Sequence, residues 1–170
     1  MSHFALFNLE PRFALPIERL ELAYRTLAAQ VHPDRHAQSS SAARRESQML
    51  AANANEAYRT LRKPLLRARH LLALGGVPCG DEQTSVSQAF LMEQMEWHEA
   101  IGHACAARDA DALHRLSAVV RARAADLHAK LEAELDGAHD YIAAGESVRQ
   151  LMFVEKLIAA VDEADAALED

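Results

Sequence analysis

Aromatic residues make up only 5% of this 170-residue chain, which also holds just 6 glycines and 5 prolines. Half of the residues are hydrophobic, and alanine dominates that fraction. Alanine-rich apolarity with few chain breakers favours a mostly helical protein over a strand-rich one. No apolar run reaches transmembrane length. Phe4-Ala5-Leu6-Phe7 is too short for a signal peptide and has no basic segment before it, so a soluble, cytoplasmic protein is expected. The two cysteines, Cys79 and Cys105, form no CxxC pair, which argues against both a disulfide framework and a zinc ribbon.

Motifs for covalent chemistry are missing as well. There is no glycine-rich phosphate loop and no GxSxG elbow. His98-Glu99 followed by His103 is one residue too long for a helical zinc motif, because an offset of five turns the second imidazole about 140° around the helix. No metal and no cofactor are expected, and no enzyme. Nucleic acid is not an expected partner either, because the basic residues are scattered and not interleaved with stacking aromatics.

The net charge of −7 conceals two halves of opposite sign. Residues 1–75 hold 11 basic and 6 acidic side chains, a net of +5, whereas residues 76–170 hold 7 and 19, a net of −12. The sign changes at Gly75-Gly76-Val77-Pro78-Cys79-Gly80, which has the composition of a linker. The domain division expected is therefore 1–75, a linker over 76–84, and 85–170.

In the first half, Ile17, Leu20, Tyr24, Leu27 and Val31 recur at spacings of three and four behind Pro16, which draws one apolar helical stripe. Pro33 ends that helix, because the residue before a proline is pushed out of the α region. The cluster Gln38-Ser39-Ser40-Ser41 offers a cap for a second helix, about Ala42 to Arg62, with Leu50, Ala54, Ala57 and Leu61 buried and Met49 and Tyr58 beside them. The two should pack as an antiparallel hairpin with His32-Pro33-Asp34 at its tip. His32 and Asp34 could form an acid–base pair, but a convex tip provides no pocket to exclude water. A short helix, Leu65 to Leu74, follows Pro64.

The second half predicts three helices, about Val86 to Arg108, Ala110 to Leu135 and Asp140 to Leu168, which close a bundle. In the first of them Phe90, Trp97, Ile101 and Cys105 share a buried face. Leu91, Met92 and Met95 point elsewhere, on the side of Glu96, Glu99 and His103, and Phe153 is displaced from the stripe of the last helix. These residues either widen the core or form a contact surface of the kind marked by apolar side chains with a polar rim.

Placed between two helices about thirty residues from the start, with Arg19, Tyr24 and Arg25 on the preceding helix, His32-Pro33-Asp34 resembles the signature of J-domain co-chaperones. Glu56-Ala57-Tyr58-Arg59-Thr60-Leu61, Pro64-Leu65 with Arg67-Ala68, and Phe90-Leu91-Met92-Glu93-Gln94 narrow the resemblance to the HscB type in its bacterial form. It covers essentially the whole chain. It implies an all-α protein in which an N-terminal J-domain hairpin with short accessory helices is joined to a C-terminal three-helix bundle. It also implies two partners. His32, Pro33, Asp34, Arg25 and Arg35 would engage an HscA-type chaperone and stimulate its ATPase. Leu91, Met92, Met95, Glu96, Glu99 and Phe153 would bind the iron–sulfur scaffold IscU. Met95 stands where the family often has leucine, and His103 where an acidic residue is common. The cysteine-rich zinc segment of many eukaryotic relatives is missing, and any cluster belongs to the scaffold. A general J-protein serving unfolded clients is the alternative.

Overall fold

The computed structural model describes residues 2–31, 40–77 and 86–169, and all of their regular elements are helical. The chain forms two compact units, Met1–Gly76 and Val77–Asp170.

The N-terminal unit begins with a single turn, α1 (His3–Leu6), capped by the Ser2 hydroxyl, which accepts from the Ala5 N–H at 3.2 Å. It places Phe4 in the core with no exposed surface. Helix α2 spans Ile17–Gln30. Pro16 is its cap and not its first helical residue. Its backbone is extended, and its carbonyl accepts from the Arg19 and Leu20 amides. Of the expected stripe, Leu20 and Val31 are buried, while Ile17, Tyr24 and Leu27 are half-buried.

Helix α3 (Ser41–Arg62) is capped by Ser40, whose hydroxyl accepts from the Ala43 N–H. It packs on α1, α2 and the helix that follows it, and buries Ala54, Ala57 and Leu61. Tyr24 donates to Asn55 at 2.8 Å and stacks on Tyr58 at 4.2 Å, and the Ser47 hydroxyl donates to the Val31 carbonyl at 2.9 Å. As the α2 number rises the α3 number falls, so the pair is antiparallel, as expected. Met49 lies beside the buried stripe and turns to solvent. It is 67% exposed, about 120° round the helix from the buried face of Ser47, Ala54, Ala57 and Leu61, and Leu50, expected on that face, is half-buried. Helix α4 (Pro64–Leu74) starts on proline and ends at Gly75, and Gly76 follows with φ of 78°, a left-handed value that glycine adopts without strain. Linker residues from Pro78 to Gln83 and Thr84 lie outside the described residues.

The C-terminal unit contains α5 (Gln88–Ala107), α6 (Ala110–Glu132) and α7 (Tyr141–Glu169). Arg108, at φ of 50°, closes α5. Its N–H donates to the Cys105 carbonyl, and the Asp109 N–H donates to Ala104. Asp109 then caps α6 by accepting from Ala112 at 2.9 Å. The middle helix does not run evenly to Leu135. Ala133–Ala138 widen into a π turn before left-handed His139, where Asp136-Gly137 loosens the last turn.

Helices α6 and α7 form the main hairpin. Leu113, Val120, Leu127, Leu131, Val148, Leu151 and Val154 between them are fully buried. Each such side chain contributes about 1.5–3 kcal/mol. The polar contacts across the hairpin, the Arg121–Asp162 ion pair at 2.7 Å and the His114–Asp165 hydrogen bond at 3.2 Å, are solvent-accessible and contribute at most about 1 kcal/mol each. The aliphatic seam therefore dominates.

Candidate functional site: an apolar surface on α5

Helix α5 lies on the hairpin by one face only. Phe90 and Trp97 are buried, with ring centroids 6.3 Å apart in edge-to-face geometry, and Phe90 meets Phe153 of α7 at 6.4 Å. Ile101 and Cys105, expected on the same face, are half-buried, and Ala104 completes the contact.

On the flank toward α6, Arg123 ties the helix down. Its guanidinium lies 5.8 Å over the Phe90 ring, 3.5 Å from the Glu93 carboxylate and 3.4 Å from the Gln150 amide oxygen. A planar cation with a fork of donors can serve the ring and both oxygens together. The sequence reading missed Arg123. The only available signal was that Glu93 falls beside Phe90 on the helix.

The outward face is apolar. Leu91, Met92 and Met95 are 46%, 58% and 63% exposed, so they do not widen the core. Glu96, Glu99 and His103 are exposed beyond them, and neither carboxylate has an ion-pair partner among the described residues. Phe153 is half-buried and joins this surface from α7. Between α5 and α7 lies a hollow of about 240 Å³ lined by Gln94, Trp97, His98, Phe153, Lys156 and Leu157. His98 is fixed at its rim by a 2.8 Å hydrogen bond between Nδ1 and the Gln94 carbonyl, in which the ring nitrogen must donate. At about 100° per residue, Gln94 and His98 stand next to Leu91 and Met95, whereas Met92, Glu96 and His103 lie further round.

In the N-terminal unit, Arg25 is exposed and meets Glu21 one turn earlier at 3.1 Å, a pair too exposed to hold it away from another anion. The expected contact residues His32, Pro33, Asp34 and Arg35 lie outside the described residues. No three His, Cys, Asp or Glu side chains among the described residues are grouped to hold a metal ion. No helix among them is long and apolar enough to cross a membrane.

Residues 86–162, which contain this surface, match the family model for the HscB C-terminal oligomerisation domain. The chain is 48% identical over 161 residues to a co-chaperone protein HscB homolog of Paraburkholderia phymatum, covering 94% of this chain and 91% of that protein. It is 46% identical over 170 residues to the corresponding protein of an Azoarcus species, covering 99% and 96%. The chain belongs to the HscB co-chaperone family. The solved structure of chaperone HscB from Vibrio cholerae superposes with a TM-score of 0.86 at 34% identity, covering 99% of both chains. Human co-chaperone HscB, at 23% identity and a TM-score of 0.89 over 96% of this chain and 81% of that one, shares the fold. The architecture of this HscB-family chain is all-α, with an N-terminal J-domain and a C-terminal helical domain.

Proposed function

We propose that the protein couples two partners without covalent chemistry of its own: it captures an IscU-type iron–sulfur scaffold and stimulates the ATPase of an HscA-type chaperone that receives it. The observation that carries this reading is the exposure of Leu91, Met92 and Met95 together on one helix, beside half-buried Phe153. Clustered large apolar side chains left in water mark a contact surface, and thioethers adapt well to a folded partner. Glu96 and Glu99 would form its polar rim. Membership of the HscB co-chaperone family supports the same reading.

The J-domain, residues 1–75, would contact the chaperone through His32, Pro33, Asp34, Arg25 and Arg35, with residues 76–84 as linker and 85–170 as the scaffold-binding domain. Pro33 fixes the turn, His32 supplies a directional donor, and Asp34 accepts charge-assisted bonds from an arginine. The site of action would be the cytoplasm.

An ATPase assay with the chaperone, with and without scaffold, tests both contacts. Asp34→Asn should abolish the stimulation. Alanine at Leu91, Met92 and Phe153 should leave the basal stimulation in place and weaken scaffold binding by about 1–4 kcal/mol per hot-spot residue. Unchanged scaffold binding in the triple variant would refute the surface assignment. Equal activity of Asp34→Asn would refute the loop's role.

A further inference from the structure

Six of the seven Lys and Arg side chains in the C-terminal unit are engaged. Arg108 donates to the Leu168 carbonyl, Arg115 faces Asp109, Arg121 pairs with Asp162, Arg123 with Glu93 and Lys130 with Glu134, and Arg149 also has a partner. Lys156 is different. Its Nζ lies 5.9 Å over the Phe153 ring, and among the described residues it has no carboxylate or carbonyl partner. Carboxylates are not scarce here, because residues 76–170 hold 19 acidic side chains against 7 basic ones.

Lys156 stands at the hollow between α5 and α7. A second polar group at the same place is unsatisfied: the Gln94 side chain lines the hollow, and its Nε2 is buried with no acceptor. A buried donor without an acceptor carries a free-energy cost. Trp97, Phe153 and Leu157 supply apolar walls, and the His98 ring stands at the rim. About 240 Å³ is less than a drug-sized ligand requires, and it suits one inserted side chain. On the helix projection the hollow's Gln94 and His98 neighbour Leu91 and Met95, and Glu99 and Glu96, unpaired among the described residues, lie on the other side of those two. Across this surface the order is therefore cation and hollow, then Leu91 and Met95, then Glu99, Met92 and Glu96.

We infer that the α5–α7 hollow is the orienting subsite of the scaffold-binding surface: the scaffold inserts an apolar side chain between Trp97 and Phe153 and sets a carboxylate on Lys156. This rests on the scaffold reading proposed above and adds polarity to it. A partner segment acidic at one end and basic at the other fits in one direction only, since the reverse direction would bring like charges together at both rims.

Calorimetric titration of the full chain with a purified IscU-type scaffold tests the subsite, using Lys156→Met, Lys156→Glu and Leu91→Ala. Lys156→Met keeps the stem over Phe153 and removes only the charge. It should weaken binding about three- to tenfold and flatten the salt dependence, and Lys156→Glu should weaken it further. Lys156 is exposed, so thermal melts of both variants should match the parent. If Leu91→Ala binds weakly while both Lys156 variants bind as the parent does, the subsite is wrong and the scaffold reading stands. If all three variants bind as the parent does, the scaffold reading falls and the subsite with it. If the chain alone self-associates by sedimentation, and Lys156→Glu dissociates it at unchanged scaffold affinity, the hollow holds a second copy and the inference is overturned.

Discussion

In the N-terminal unit the rings lie along the outside of a small-residue interface: Phe4, Phe7 and Phe13 close the core, and Tyr24 stacks on Tyr58 above the alanines of α3. In the C-terminal unit the core is aliphatic, and Phe90, Trp97 and Phe153 gather in one place, where α5 rests on α7. The first arrangement adds ring contacts to a hairpin whose core also holds Leu20 and Leu61. The second leaves the α6–α7 hairpin self-sufficient and gives α5 a separate, aromatic mount. An element mounted in this way can turn large apolar side chains outward, because the unit does not need them for its core.

The largest expected effect breaks this comparison if it fails. Trp97 is the only tryptophan and lies in the C-terminal unit, so its fluorescence reports that unit. Leu127→Ala, at a fully buried position on α6, should lower the stability read by Trp97 in urea by about 2–5 kcal/mol. Leu61→Ala, equally buried on α3, should lower a circular dichroism transition by a similar amount and leave the Trp97 midpoint in place. A Trp97 midpoint that moves as far with Leu61→Ala as with Leu127→Ala would mean one cooperative fold.

Much of this architecture is legible in the chain. Spacing alone places the four long helices of the hairpins, and the serine cluster points to the Ser40 cap. Leu91, Met92 and Met95 stand out because they fall off the face that Phe90 and Trp97 define. What spacing does not carry is contact between elements distant in sequence. Arg123 reads as a solvated helix residue until Glu93 and Gln150 are brought to it from two other helices. Lys156 is likewise ordinary until it is found over the Phe153 ring at the α5–α7 hollow, with no carboxylate partner among the described residues. The π turn at Ala133–Ala138 is a widening of one turn, too subtle for a periodicity that tolerates several residues of error at helix ends.

Two buried serines sharpen the contrast between the units. Ser47 donates to the Val31 carbonyl at the end of α2, next to the segment that carries His32-Pro33-Asp34. Ser47→Ala leaves that carbonyl without its partner and should cost about 0.5–1.5 kcal/mol in thermal or urea unfolding. Ser147 on α7 is fully buried, and its hydroxyl has no partner among the described residues. Ser147→Ala removes an unsatisfied group and should be neutral or stabilising. Equal losses from the two substitutions would show that volume, and not hydrogen bonding, governs both sites.

The smallest expected effect is a pH dependence that belongs to the N-terminal unit. His70 on α4 stacks on His3 at 4.2 Å, lies 5.9 Å from the Phe4 ring, and accepts the His3 backbone N–H at Nε2, 3.2 Å away. Accepting at Nε2 requires the neutral ring with its proton on Nδ1. Burial, and secondarily the charge of His3, hold the His70 pKa below its ordinary value of 6.5. The lowered value favours the neutral form in the folded state, so below about pH 6.5 the unfolded chain binds the proton first and stability falls with pH. The loss levels off once the pH passes below the folded-state pKa. Glutamine at position 70 offers an oxygen to the same N–H and does not titrate. The urea midpoint of the N-terminal unit, followed by circular dichroism from neutral pH to pH 5, should therefore fall less in His70→Gln than in the parent. An identical fall in both proteins would remove His70, and the contact by which α1 is tied to α4, as the source of the acid sensitivity.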